Sequence, residues 1–346
     1  MRKQEEIMFS EGKTQLVSIS SYAGDRKDYV QGGGGNTSVK FDDKLMAIKA
    51  SGYMLSEITP ERGYVTVNYQ KIRDYYTNVD ASRDIDFEKE SLNVSLGSVA
   101  LLPGMENKRP SVEVGFHAFL KKCVIHTHAV YANILCCSEE GHAIAEKALK
   151  TVSAGYVFIP YIDPGFRLTF EVKKAVDEYK GQHGAAPDLI FLENHGAIAH
   201  GDSDEEAITV HETANNSIKE YLGLDVFPSP SIKKAADGYA SDTPYLKDFL
   251  IRYSADEAYF NALKLYPDQL VYLGGKMGRE ITIRNDEIVY KTSEKEARTI
   301  EETLLGVVYV IDMSQKAGLK LRQMDDKGAD FINNWESEKY RSQQVK

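Results

Sequence analysis

His126 and His128 are separated by a single residue in the run Cys123-Val124-Ile125-His126-Thr127-His128-Ala129. Val124 and Ile125 favour a strand, and residues two apart on a strand point to the same face. Both imidazoles can therefore reach one divalent cation. A third histidine, His195, follows another β-type run, Leu189-Ile190-Phe191-Leu192, within Glu193-Asn194-His195-Gly196. Three histidines delivered by sheet elements make a catalytic-type zinc site, with neutral nitrogen ligands and an open coordination position. A lone His-x-His is more often a coincidence of core or surface than a ligand pair, so the weight falls on what surrounds it. Cys123, three residues before His126, falls on the opposite strand face and does not join the set.

The elements that must position these residues can be read around them. Residues from Gln4 to about Ser21 have helical character. Next comes Gln31-Gly32-Gly33-Gly34-Gly35-Asn36-Thr37-Ser38, whose backbone N–H groups can lie bare against an anion or simply form a flexible turn. It matches neither the mononucleotide loop nor the dinucleotide fingerprint. Leu45 to Ala50 and Val65 to Val67 read as strands, the first ending in a small polar turn, Ser51-Gly52. Pro110-Ser111-Val112-Glu113 opens an amphipathic helix carrying Phe116, Phe119 and Leu120, with Ser111 as its candidate N-cap. Val130 to Cys137 and Phe170 to Tyr179 read as helices, and Tyr156 to Tyr161 as a strand. Leu189–Leu192 and Ala197–Ala199 read as a hairpin, and Ser203 with Glu206 forms a capping box that starts a helix to about Leu222. Pro228-Ser229-Pro230-Ser231 reads as a connector. Beyond it we expect a helix near Pro244–Leu265, strands near Gln269–Tyr272 and Glu280–Tyr290, a long helix from Glu294, and a final helix ending at Lys339. Strands mixed with helices argue an α/β layered fold.

Composition bounds the function. The chain has 346 residues and a net charge of −10, so a nucleic-acid surface is not its main purpose. No apolar run approaches a membrane span, and the first ten residues are charged, with no apolar signal core. Three cysteines, Cys123, Cys136 and Cys137, do not make a disulfide framework, and a cytoplasmic location fits them best.

The ordered set Gly35-Asn36-Thr37-Ser38, Lys49-Ala50-Ser51-Gly52, Pro110-Ser111-Val112-Glu113 with His117, His126-Thr127-His128 and Asn194-His195-Gly196 resembles the class II aldolase/adducin family. It is closest to the aldolase module of bacterial bifunctional rhamnulose-1-phosphate aldolase/alcohol dehydrogenase proteins. Phe158 to Phe166, Tyr266-Pro267-Asp268 and Phe331 to Glu336 look like that subgroup, so the likeness spans nearly the whole chain; no dehydrogenase fingerprint accompanies it. The resemblance implies a three-layer αβα fold with a mixed central sheet. It implies a catalytic domain over 1–230 and a C-terminal extension over 231–346 packed on the same domain.

It further implies zinc, or another divalent metal, on His126, His128 and His195, with Glu113 as the acid/base. The bland role for Glu113, a charge in the first turn of a helix, is worth only about 0.3–1 kcal/mol. Asn36, Ser51, Gly52 and Ser111 are implied to meet the substrate phosphate. Val112 stands where the family has a second serine and removes one hydroxyl donor. Lys49 neutralises an anion or is a solvated strand end, His117 supports the site or packs, and Glu193 orients a ligand or serves its turn. The implied reaction is aldol cleavage of a ketose 1-phosphate or related sugar acid by a cyclic homotetramer, a neighbour's tyrosine aiding proton transfer. Dehydratase, epimerase or decarboxylase chemistry on the same scaffold is the alternative, and a non-catalytic adducin-like scaffold is the reading from another class.

Overall fold

The computed structural model describes residues 2–80, 82–102, 108–150, 152 and 155–334. Its centre is a seven-stranded sheet built from β1 (Asn36–Lys40), β2 (Leu45–Lys49), β3 (Tyr64–Asn68), β4 (Cys123–Thr127), β5 (Tyr156–Ile159), β6 (Leu189–Leu192) and β7 (Gly196–Gly201). The strand order is β3-β2-β1-β4-β7-β6-β5. All neighbours pair antiparallel except β5 with β6, so the sheet is mixed. Around it run α1 (Arg2–Gly24), α2 (Tyr69–Asn78), α3 (Phe87–Gly97), α4 (Val114–Phe119), α5 (Val130–Cys136), α6 (Gly141–Ala148), α7 (Phe166–His183) and α8 (Asp204–Leu222).

Strand periodicity divides the core into two faces. Val39, Ala47, Cys123, Ile125 and Phe191 pack with Leu16 and Ile19 of α1 and Ala214 and Ile218 of α8. Met46, Ile48, Val65 and Val67 face α2 and α4 on the other side, while Val124, Ile190 and Ile198 face α7. This is the expected three-layer arrangement. The alternation carries directly into β1. Thr37 meets Ser20 of α1 at 2.7 Å, while Asn36, Ser38 and Lys40 all reach residues in or flanking α4 on the opposite face.

Residues beyond 230 form a four-stranded antiparallel sheet, β10-β11-β9-β8, from β8 (Ile232–Ala235), β9 (Gly238–Ser241), β10 (Ile281–Arg284) and β11 (Glu287–Tyr290). With it run α9 (Pro244–Tyr253), α10 (Glu257–Asn261), α11 (Pro267–Leu273), α12 (Glu294–Lys316) and α13 (Asp326–Asn334). Leu304, Val307, Val308 and Ile311 of α12 belong to the same apolar cluster as α1, α5 and α8.

Several expectations for this region are corrected. Gln269–Tyr272 is helical rather than extended, because Pro267 opens α11 at a first turn that lacks intrahelical N–H partners. Glu280–Tyr290 is a hairpin, turned by Asn285 and Asp286 at φ of 50° and 61°. The helix near Pro244–Leu265 is two helices, interrupted where Ser254 takes φ 49°. The expected helix end at Lys339 lies outside the described residues.

Candidate metal centre

His126 sits in β4, between β1 and β7. His128 lies one residue past the strand end, yet keeps the strand's alternation and returns its ring to the same side. His195 occupies the turn between β6 and β7. The three rings converge with centroids 5.0–5.2 Å apart, and one nitrogen from each lies within 4.8 Å of the others. All three are buried.

The outer nitrogens fix which atoms face inward. His126 Nδ1 donates to the Ala197 carbonyl at 3.1 Å, and His128 Nδ1 donates to Asp268 Oδ2 at 2.5 Å. With both Nδ1 atoms protonated, the two Nε2 atoms are bare lone pairs facing each other at 3.3 Å. Two such acceptors repel unless a cation lies between them. Donors at about 2.0–2.1 Å from a tetrahedral metal are about 3.3–3.4 Å apart, so the observed separation fits a tetrahedral ion. Burial, aided by the other two imidazoles and opposed by Glu113, pushes the His126 pKa down to about 3, which keeps it a neutral ligand.

Glu113 closes the cluster. Its Oε1 is 3.2 Å from His195 Nε2 and its Oε2 is 3.5 Å from His126 Nε2. Asn36 Nδ2 donates to Oε2 at 2.7 Å. Asn36 Oδ1 must then accept, and His117 Nε2–H supplies the proton at 2.5 Å. His117 Nδ1 is left to accept from Ser38 Oγ at 2.7 Å. The relay needs a neutral His117, and burial holds its pKa well below the ordinary histidine value, with His126 acting in the same direction. The ring is stacked on Phe116 at 4.6 Å. His117 therefore supports the site through Asn36 rather than merely packing. Lys40 anchors the same helix end: its Nζ donates to the carbonyls of His117, Leu120 and Lys121 at 2.8–2.9 Å.

Asn36 and Ser111, two of the residues expected on the substrate side, also come together here. An isolated antiparallel bridge between Ala50 and Pro110 sets Lys49 opposite Ser111, whose N–H donates to the Lys49 carbonyl at 3.3 Å, and Ser51 opposite Arg109, whose carbonyl accepts from the Ser51 N–H at 2.8 Å. Asn36 Nδ2 lies 3.2 Å from Ser111 Oγ. Ser111 is not the N-cap: α4 begins at Val114 with Glu113 at its cap position, and Ser111 Oγ instead accepts from the Glu113 N–H at 3.3 Å. Lys49 is buried, with Nζ 3.4 Å from the Gly33 carbonyl, which removes the solvated reading. Glu193 pairs with Arg322 and His142 and does not orient His195.

The glycine run owes its composition to the chain beyond residue 230. A Cβ on Gly32 would stand 2.7 Å from Thr299, on Gly33 2.6 Å from Tyr272 Oη, and on Gly34 2.2 Å from Asp268 Oδ2. Gly32 and Gly35 also take φ of +55° and +67°. Gly196 is required for a related reason, since a Cβ there would lie 2.3 Å from the Thr127 carbonyl and 3.0 Å from the His128 ring. Sequence reasoning assigned no role to Asp268, Ser38 or Lys40. Strand alternation from Asn36 through Ser38 to Lys40 is the available signal for two of them; Asp268, 140 residues from His128, stands out only within the Tyr266-Pro267-Asp268 motif, which carries no hint of a contact with His128.

The family model for the Class II Aldolase and Adducin N-terminal domain matches residues 14–222. The chain belongs to the class II aldolase and adducin family. Its likeness extends to "Uncharacterized oxidoreductase YuxG" of Bacillus subtilis (strain 168), with 28% identity over 224 residues, 61% of this chain and 30% of that one. The chain thus spans under a third of that relative. A solved N-terminal class II aldolase domain of a conserved protein from Thermoplasma acidophilum superimposes with a TM-score of 0.50 at 25% identity, covering 60% of this chain and 92% of that one. An L-fuculose 1-phosphate aldolase structure gives a TM-score of 0.41 at 22% identity, covering 61% and 85%. The match ends before α9, so this family member carries Asp268, Tyr272 and Thr299 in a segment outside the family model.

Proposed function

We propose that this family member is a zinc-dependent lyase that cleaves the carbon–carbon bond β to the carbonyl of a ketose 1-phosphate or a related sugar acid. One observation carries the reading: two bare Nε2 atoms and His195 converge beside a carboxylate whose own orientation is held by hydrogen bonds. Bound at His126, His128 and His195, a divalent cation would supply the positive charge that stabilises a developing enediolate, without a Schiff-base lysine.

The protein's own groups do the rest. Asn36 donates to Glu113 Oε2 and so favours the ionised carboxylate, leaving Oε1 turned to His195 as the proton-carrying atom. The relay through His117 and Ser38 keeps Asn36 from rotating its carbonyl toward Glu113. Asn36, Ser51, Gly52 and Ser111, with buried Lys49, form the side of the site suited to an anionic substrate group. Val112 leaves that side one hydroxyl poorer, which suits a smaller anion such as a carboxylate as well as a phosphate.

We assign residues 1–230 to the catalytic domain and the remainder to an extension packed on it. A homotetramer in the cytoplasm completes the proposal. Three free, buried cysteines accord with a reducing compartment, and among the described residues no helix is long and apolar enough to cross a membrane.

Mass-spectrometric product analysis of the zinc-loaded protein over a panel of phosphoketoses and sugar acids tests it. Two fragments support the lyase. Loss of water or carbon dioxide, or an unchanged mass in a rearranged product, assigns the alternative chemistries. Glu113→Gln is expected to lower turnover by about 10²–10⁴-fold with metal content retained; unchanged turnover removes Glu113 from its role.

A further inference from the structure

We propose that Asp268 is a positioning residue for the metal centre, a carboxylate supplied from beyond the family domain that holds His128 in the tautomer able to bind the ion. This rests on the metal reading above. His128 and Asp268 are 2% and 0% exposed, so their 2.5 Å contact is shielded from water and competes with no solvent partner. A carboxylate accepts and does not donate, so the shared proton resides on Nδ1 and the Nε2 lone pair points at His126 and His195. Carboxylates in this outer position fix the ring and raise the basicity of the ligand.

The contact is built rather than incidental. Asp268 lies in the first turn of α11, where Pro267 sets the backbone. Its Oδ2 occupies the space that a side chain on Gly34 would fill. The loop just before it, ending in Leu265, holds the third histidine's turn as well. Asn194, at φ 51°, donates its Nδ2 to the carbonyls of Leu265 at 2.8 Å and Arg322 at 2.9 Å. A single stretch, Leu265 to Asp268, thereby steadies both His128 and the turn that carries His195. Tyr266 in the same stretch is fully buried and anchors it to the core.

The test is zinc affinity of the full-length chain, measured on apo protein against a chromophoric chelator. Asp268→Ala is expected to weaken zinc binding about 10–100-fold, and Asp268→Asn, which can still accept the Nδ1 proton but lacks the charge, to fall between it and the wild type. Thermal unfolding of the apo forms provides the control, because a purely structural role lowers apo stability and leaves the affinity of the folded protein unchanged. Affinities within twofold of wild type in both variants overturn the proposal. Should neither variant fold, ¹⁵N-histidine-labelled wild-type apo protein decides it: a protonated Nδ1 on His128 supports the assignment and a protonated Nε2 overturns it. Wild-type protein that binds no zinc defeats the metal reading itself, while the tautomer measurement still judges the Asp268 contact.

Discussion

Asn36→Leu is the perturbation that most directly tests how the carboxylate is held. Leucine keeps the shape of asparagine and removes both of its hydrogen-bonding ends. Asn36 is 3% exposed, so no water takes its place. The lost bond to Glu113 Oε2 is 2.7 Å long with an ionised acceptor, and such bonds contribute about 1.5–3 kcal/mol. His117 Nε2–H loses its acceptor as well, and an orphaned buried donor costs about 1–3 kcal/mol. A tautomer exchange against Ser38 relieves part of this second cost. The expected loss of stability is therefore about 2–5 kcal/mol, at least about thirtyfold in the folding equilibrium. It is read from urea unfolding of chelator-treated protein, so that metal linkage does not obscure it. A double-mutant cycle with His117→Leu should show the two changes costing about 1–3 kcal/mol less together than their sum, because the second removes the donor that the first orphans. In the metal-loaded protein, a Glu113 carboxylate free to turn should lower kcat by about 10²-fold at unchanged metal content. A stability loss under about 1 kcal/mol, with a coupling near zero, would refute the relay.

Metal removal should lower the unfolding midpoint, because an ion bound only to the folded form stabilises it by about 2.7 kcal/mol at a hundred times its dissociation constant; identical melting curves with and without excess zinc would contradict the centre. Away from the metal centre, part of the pH dependence follows from His200 and His211, each driven down to about 3, first by burial and next by a nearby cation, Lys121 and Arg26 respectively. Both stay neutral in the folded state while the unfolded chain takes up protons below its histidine pKa of about 6.5. Stability should therefore be full above that value and fall between about pH 6.5 and 3, by about 1.4 kcal/mol per pH unit for each group. His200→Phe should flatten that slope in denaturant titrations at several pH values, and an unaltered slope would count against its neutral burial. Gly34→Ala should destabilise the chain by about 1–3 kcal/mol through overpacking against Asp268, measured by urea unfolding, and an isosteric outcome would mean that α11 does not press on the glycine loop.

Much of the centre was legible because the residues that make it obey local periodicity. His126 and His128 share a face through the two-residue repeat of extended chain, and the same repeat sorts Asn36, Ser38 and Lys40 from Thr37 and Val39. The hairpin around His195 was legible from its flanking apolar runs. Less legible were the features set by partners distant in the chain. The glycine run suggested an anion loop, whereas three of its members are small because Thr299, Tyr272 and Asp268 press on them. Ser111 suggested a helix cap, but its hydroxyl meets Asn36 from another strand. Gln269–Tyr272 suggested a strand, since a short apolar run reads alike in helix and strand when both are buried.

The sequence by itself determined the set of chemical groups, the sheet faces that carry them and the order in which they meet, because side-chain type and backbone alternation are local properties. Only the tertiary structure decided the tautomers of His126, His128 and His117, the orientation of Asn36 and the arrival of Asp268 at the centre. A ring nitrogen carries its proton according to the acceptor opposite it, and those acceptors come from Ala197, Asp268 and Asn36, each brought close by packing across the fold.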